Sequence, residues 1–311
     1  MFTALKKGRI AALGVIAVSA AVALAGCSSG SSPLDAGSTS TGSAAAGTIV
    51  IGSQSYYSNE IIAEIYAQAL EANGQTVTRK FNIGQRDAYL PALASGEVTL
   101  FPEYSGNLLQ FYDKSTAAVS ADDVYAALKT AVPANLEVLE QSAAADQDSY
   151  NVTKAFADAN GVTSIADLAK VSNVTLGGNA ELATRPYGPP GLLSTYNVTV
   201  GFTPIDDSAG PLTLKALLDN TIQVANIYSA DPSIGENNLV TLTDPKNLFL
   251  ASNVVPLINK DAATPEVTDV INKVDAALTT EDLVKMNGES TTDQKSSADI
   301  AKEWLDGKKL F

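Results

Sequence analysis

From Thr48 onward, short apolar runs alternate with stretches in which apolar residues recur every three or four positions. Residues 48–53 (TIVIGS) have the form of a buried strand ending at Gly52. Ser58-Asn59-Glu60 then opens a helix, with Ile61, Ile62, Ile65, Tyr66, Ala69 and Leu70 at helical spacing, and Asn73-Gly74 closes it. A strand at 76–81, a helix at 85–95 and a strand at 98–101 follow. Further on, helices are predicted at 121–131, 154–160, 164–170, 191–196 and 211–218, and strands at 136–139, 174–176, 222–227, 239–242 and 254–258. The C-terminal part is helical, at 265–278, 280–287 and 292–305, with Trp304 in the last helix as a packing residue. Strand–helix alternation of this kind predicts an α/β fold whose sheet has parallel strands and helices on both faces.

The N-terminal apolar block is different. Residues 10–25 are apolar except for Gly14 and Ser19, and they follow Lys6, Lys7 and Arg9 with no acid among them. The run is shorter than the ~20 residues of a spanning helix. A basic start, a short apolar stretch and small residues before a cut make an export signal. Leu24-Ala25-Gly26-Cys27 resembles the bacterial lipobox, so residues 1–26 are expected to be removed and Cys27 to be acylated. More than one acyl chain then anchors the protein stably on the extracytoplasmic face of the cell membrane. Residues 27–47, rich in Gly, Ser, Thr and Ala, are expected to form a flexible tether.

Composition narrows the chemistry. The formal charge of −14 becomes −17 once Lys6, Lys7 and Arg9 leave with the signal, which disfavours nucleic acid and anionic lipid as partners. Cys27 is the only cysteine and there is no histidine. The usual general base, Ser-His and Cys-His nucleophile pairs, Cys/His zinc sites and a disulfide framework are therefore all excluded. The acid pairs Asp122-Asp123 and Asp206-Asp207 are adjacent in sequence and so point apart, as solvated surface rather than as catalytic dyads.

Gly52-Ser53-Gln54, Glu60-Ile-Ile-Ala-Glu-Ile-Tyr-Ala-Gln-Ala-Leu70, Ser95-Gly96-Glu97 and Phe101-Pro-Glu-Tyr-Ser-Gly106 form an ordered series. In order and spacing it resembles the substrate-binding proteins of quaternary-ammonium ABC importers, which take up glycine betaine, choline, carnitine and related osmoprotectants. The resemblance runs from about Thr48 to the C-terminus. It implies a two-lobed periplasmic-binding-protein clamp, type II-like, with lobe one at 48–140 plus 245–311, lobe two at 141–244 and the ligand between them. It also implies a monomer with no enzymatic activity and no cofactor, which delivers its ligand to a membrane permease driven by ATPase subunits.

A trimethylammonium group has no N–H to donate, so tyrosine ring faces suit it. Three tyrosines match family cage positions: Tyr104 in Pro102-Glu-Tyr-Ser-Gly106, Tyr150 in Asp148-Ser-Tyr-Asn-Val152, and Tyr228 in Asn226-Ile-Tyr-Ser-Ala-Asp231. The position of a fourth holds Ser252, so Tyr56, Tyr57 or Tyr187 must close the box, or the ligand is not a simple betaine. Arg185, in Arg185-Pro-Tyr-Gly, matches the arginine that holds a ligand carboxylate. Gln54 is a candidate polar contact. Arg86 either holds an anionic end of the ligand or pairs with Asp87 or Glu103. Rival readings are the same clamp with another polar, aromatic or anionic solute, a sensor or adhesion protein, and a surface hydrolase built on Glu103.

Overall fold

The structure is a computed structural model, and it describes residues 47–311. The signal segment, Cys27 and the tether up to residue 46 lie outside the described residues. The chain runs β1 (Thr48–Gly52), α1 (Tyr57–Ala72), β2 (Thr76–Lys80), α2 (Arg86–Ser95), β3 (Leu100–Tyr104), α3 (Ser105–Tyr112), α4 (Ala121–Ala131) and β4 (Leu136–Val138). It continues through β5 (Asp148–Val152), α5 (Lys154–Asn160), β6 (Thr175–Gly178), α6 (Pro189–Tyr196), β7 (Gly201–Pro204), α7 (Pro211–Leu218) and β8 (Val224–Tyr228). It ends with α8 (Ser233–Glu236), β9 (Val240–Thr241), β10 (Val254–Asn259), α9 (Pro265–Ala277), α10 (Thr280–Thr291) and α11 (Ser297–Lys308). Among the described residues no helix is long and apolar enough to cross a membrane.

Two five-stranded sheets result, ordered β2-β1-β3-β10-β4 and β7-β6-β8-β5-β9. Neither is fully parallel as the alternation alone predicts. In the first sheet β1 pairs in parallel with β2 and β3, but β10 runs antiparallel to β3 and β4. In the second, β6 pairs in parallel with β7 and β8, but β5 runs antiparallel to β8 and β9. The reason is connectivity. β5 and β10 are the strands that follow the two passages between the sheets, so each enters its sheet from the opposite end. The passages pair with each other: Ala145 bridges Asn253, Asp146 N donates to the Ser252 carbonyl at 3.1 Å, and Val254 N donates to the Ala144 carbonyl at 2.9 Å. The architecture is an α/β two-lobed clamp.

Strand alternation places a core on both faces of each sheet. Ile49 and Ile51 of β1 pack with α1 residues, Val270 and Ile271 of α9 and Trp304 of α11, whereas Val50 packs with Tyr89, Phe101 and Leu128. In the second sheet Tyr150, Val152 and Val224 face one cluster, and Ala225 and Ile227 the other. Beneath α1, Tyr66 Oη donates to Asp275 Oδ1 at 2.7 Å, and both residues are fully buried.

Several elements depart from the sequence expectations. β3 runs on through Pro102 to Tyr104 although proline normally ends a central strand. Pro102 faces Pro256 of β10, so the missing donors lie opposite one another, and the carbonyl of Pro102 is satisfied by Asn59 Nδ2 at 2.8 Å. The polar segment DSYNV is strand β5, fully buried, because Ser149 Oγ donates to the Ile227 carbonyl at 2.6 Å and Asn151 Oδ1 accepts from Thr241 Oγ1 at 2.6 Å. α3 was not foreseen, residues 165–170 form a 3-10 helix rather than an α-helix, and the last helix starts at Ser297 rather than 292. Asp206 and Asp207 are not simply solvated. Asp206 accepts from Ala180 N at 2.7 Å, and Asp207 accepts from Leu212 N at 2.6 Å and Thr213 N at 3.0 Å in the first turn of α7.

Gly106, in the first turn of α3, is where that helix meets the segment returning to the first sheet. A Cβ there would lie 2.6 Å from the Ala251 carbonyl oxygen, a backbone atom that cannot step aside. Gly106→Ala is expected to destabilise the protein by about 1–3 kcal/mol, read as a lower midpoint in urea denaturation with an unchanged slope.

Candidate functional site

The carboxyl ends of β1 and β3 in one sheet, and of β6 and β8 in the other, point at a common cleft, the usual place for a ligand in an open α/β sheet. The free space there, including the part open to solvent, is about 510 Å³. Gln54 and Tyr56 enter from the loop after β1, Tyr104 from the end of β3 and Asn107 from the first turn of α3. Gln85 and Arg86 come from the start of α2, and Asp146 and Asp148 from the passage into β5. Asn179, Glu181, Arg185 and Tyr187 follow β6, while Asn226 and Tyr228 close the wall from β8.

Four tyrosines therefore line the cleft: Tyr56, Tyr104, Tyr187 and Tyr228. Tyr56 and Tyr228 have ring centres 4.7 Å apart with planes at 58°. Tyr57 packs edge-on against Tyr56 at 4.8 Å but turns its hydroxyl away to Asp231 Oδ2 at 2.6 Å, so it supports the cleft without lining it. Tyr187 Oη accepts from Asn107 Nδ2 at 3.0 Å, and Tyr228 Oη from Asn179 Nδ2 at 3.3 Å. The turn that presents Tyr187 depends on Gly188, where a Cβ would fall 1.8 Å from the Leu182 carbonyl oxygen.

Two expected site residues are not brought to the cleft. Tyr150 is fully buried one pleat beyond Asp148 on the same face of β5. Its hydroxyl donates to the Tyr187 carbonyl and its ring meets Phe249 edge-on at 4.9 Å, and it does not line the cavity. Ser252 is buried in the return passage, where its Oγ donates to Asn107 Oδ1 at 2.8 Å; it orients a lining residue rather than lining the cleft itself.

Of the two alternatives for Arg86, pairing with Glu103 is the one realised. Arg86 Nη2 lies 2.7 Å from Glu103 Oε2 and its Nε 3.1 Å from Oε1, with both side chains buried. Burial opposes the charge on Arg86, but Glu103 outweighs it and holds the guanidinium well above its ordinary value. Glu103 also accepts from the hydroxyl of Tyr89 and, at 2.9 Å, from the backbone N–H of Tyr104. Glu103 is therefore fully engaged by protein donors and does not line the cleft. Gln54 Nε2 reaches the Tyr89 hydroxyl at 3.3 Å, which extends the network to the cleft wall. Arg185 is far less engaged: its nearest acid, the exposed Asp87, is 3.8 Å away, and its Cζ stands 5.8 Å from the centre of the Phe111 ring.

Sequence reasoning missed the acids. Burial pushes the Asp146 carboxyl up to about 7, and burial also raises Asp148 and Glu181. Asp148 Oδ2 accepts from Asn107 Nδ2 at 2.5 Å, a bond from the first lobe to the second. Asp148 stands directly opposite Tyr228 in the β5–β8 register, a pairing that only the fold creates.

A family model described as the substrate binding domain of ABC-type glycine betaine transport systems matches residues 47–307. The glycine betaine-binding protein YehZ of Escherichia coli (strain K12) is 25% identical over 281 residues, covering 86% of this chain and 89% of that one. The carnitine transport binding protein OpuCC of Listeria monocytogenes is 24% identical over 315 residues, covering 99% of each chain. A crystal structure of a glycine betaine/carnitine/choline ABC transporter protein shares the fold, with a TM-score of 0.68 at 23% identity over 84% of this chain and 99% of that one. With the family model spanning nearly all of the described residues, the chain belongs to the substrate-binding domains of ABC-type glycine betaine transport systems.

Proposed function

We propose that this protein captures a quaternary-ammonium solute, of the glycine betaine, choline or carnitine kind, in the cleft between its two sheets and hands it to a membrane permease driven by ATPase subunits. The observation that carries this reading is the wall of four tyrosines, Tyr56, Tyr104, Tyr187 and Tyr228, in a cleft that also holds buried carboxyls. Ring faces and negative charge suit a cation that has methyl groups and no donor. Tyr56 and Tyr187 take the part of the missing cage walls, and Arg185 is the group for a ligand carboxylate. The lobes are taken as 48–140 with 245–311, and 141–244, each built on one sheet. Cys27 carries the acyl anchor, which keeps the binding protein near its permease.

Tyr104→Ala and Tyr228→Ala test the cage by titration calorimetry with glycine betaine, choline and carnitine. A lost ring contact of roughly 0.5–2 kcal/mol predicts a weakening of about 2- to 30-fold for each; unchanged affinity in both variants, with melting temperatures preserved, would falsify the cage. For the anchor, Cys27→Ser is expected to abolish labelling by a fatty-acid analogue and to release the protein from the membrane fraction. Retained label in that variant would locate the lipid elsewhere.

A further inference from the structure

The cleft carries more acid than base. Asp146, Asp148 and Glu181 line it against Arg86 and Arg185, and Arg86 is already matched by Glu103. Asp146 is the acid on the tyrosine side. It lies in the passage between the sheets, 4% exposed, and accepts one hydrogen bond at each oxygen: from Tyr56 Oη at 2.9 Å and from Ala230 N at 2.9 Å. The titratable groups around it come from every neighbouring element: Tyr56 and Tyr57 at the start of α1, Tyr104 at the end of β3, Asp148 on β5, Tyr228 at the end of β8 and Asp231 just beyond. All are neutral or negative. No Lys or Arg among the described residues forms an ion pair with Asp146.

A buried carboxylate with two donors and no cation is held ionised only weakly, because desolvation disfavours the charged form. Its missing element is a positive charge. The cleft that Asp146 lines is also lined by the rings of Tyr56, Tyr104 and Tyr228. We infer that Asp146 supplies the counter-charge for the ligand's ammonium group, an inference that rests on the quaternary-ammonium reading above. A cation lodged there stabilises the carboxylate over the carboxylic acid. Where Asp146 is protonated in the free protein, binding therefore breaks its O–H bond and releases that proton to solvent. Since the carboxyl of the free protein titrates near 7, affinity should be full above that pH and fall below it, at a limit of about tenfold per pH unit for one proton. The position also places the ligand's charge on the passage between the lobes, beside the Ala145–Asn253 bridge.

The test is calorimetry of the full chain with choline and with glycine betaine, from pH 5.5 to 8.5, in buffers of differing ionisation enthalpy. The wild type is expected to release a proton below pH 7 and to lose affinity as described. Asp146→Asn should weaken binding by about tenfold or more at pH 8 and remove both the pH slope and the proton release. Tyr56→Phe, which deletes one donor to the carboxylate, should move the midpoint to higher pH. If Asp146→Asn lowers only the melting temperature and keeps the affinity and slope, the residue is a packing acid and the inference fails. If that happens while Tyr104→Ala still weakens binding, the quaternary-ammonium reading stands without it. If the wild type binds neither compound, both fall together.

Discussion

Two extended passages, running antiparallel and hydrogen-bonded to each other through Ala144, Asp146, Ser252 and Val254, carry the chain between the sheets. Much else follows from that pairing. Because the passages lie side by side, the strand after each must enter its sheet against the direction of the parallel strands, and so β5 and β10 take equivalent places in two sheets of the same order. The carboxyl ends of both sheets then face one cleft. The side chains nearest the passages, Asp146 and Asp148 on one and Ser252 on the other, end up in or just behind its wall. The connection between the sheets and the wall of the cleft are built from the same few residues.

The second organising feature is the ion pair under the cleft. Breaking a buried pair by removing one partner usually costs about 3–5 kcal/mol, since it leaves an uncompensated charge. Glu103 is fixed by Arg86 and Tyr89 and in turn holds the backbone N–H of Tyr104. Arg86 thus lines the cleft and also helps set the place of Tyr104, through a carboxylate that does not itself line the cavity. The partially engaged Arg185 across the cleft differs in place and in partner: among the described residues its ion pair is with the exposed Asp87, at 3.8 Å.

The elements that were legible in the sequence are those whose stability comes from apolar burial. α1 shows its buried face in Ile61, Ile62, Ile65 and Leu70, and α5 and α7 begin and end where their spacing and flanking residues say. β5 was not legible because it is buried on polar side chains that satisfy one another locally, which no apolar pattern records. The site divides in the same way. Tyr104 and Tyr228 were singled out by their match to family motifs, and both line the cleft. Asp146 sits in AADQDSY, which has the composition of a surface loop; its burial is created by Tyr56, ninety residues earlier in the chain, and by Ala230, eighty-four later. Tyr150 is the converse case, fully buried and absent from the cleft wall. Its sequence context matches a cage position, but its hydroxyl is spent on the Tyr187 carbonyl.

The two sheets are alike in topology but not in how the chain completes them. The second is made from one continuous stretch, β5 to β9. The first waits for β10, which inserts between β3 and β4, and for α9, α10 and α11, which cover α1. As the chain is made from its N-terminus, the second lobe has all its strands while the first still lacks a central one. The apolar face of α1, with Ile61, Ile65 and Leu70, stays without its cover until nearly the last residue has emerged. The lobe that begins first is therefore the last able to fold, and the apolar face of α1 is open while the rest of the chain is made.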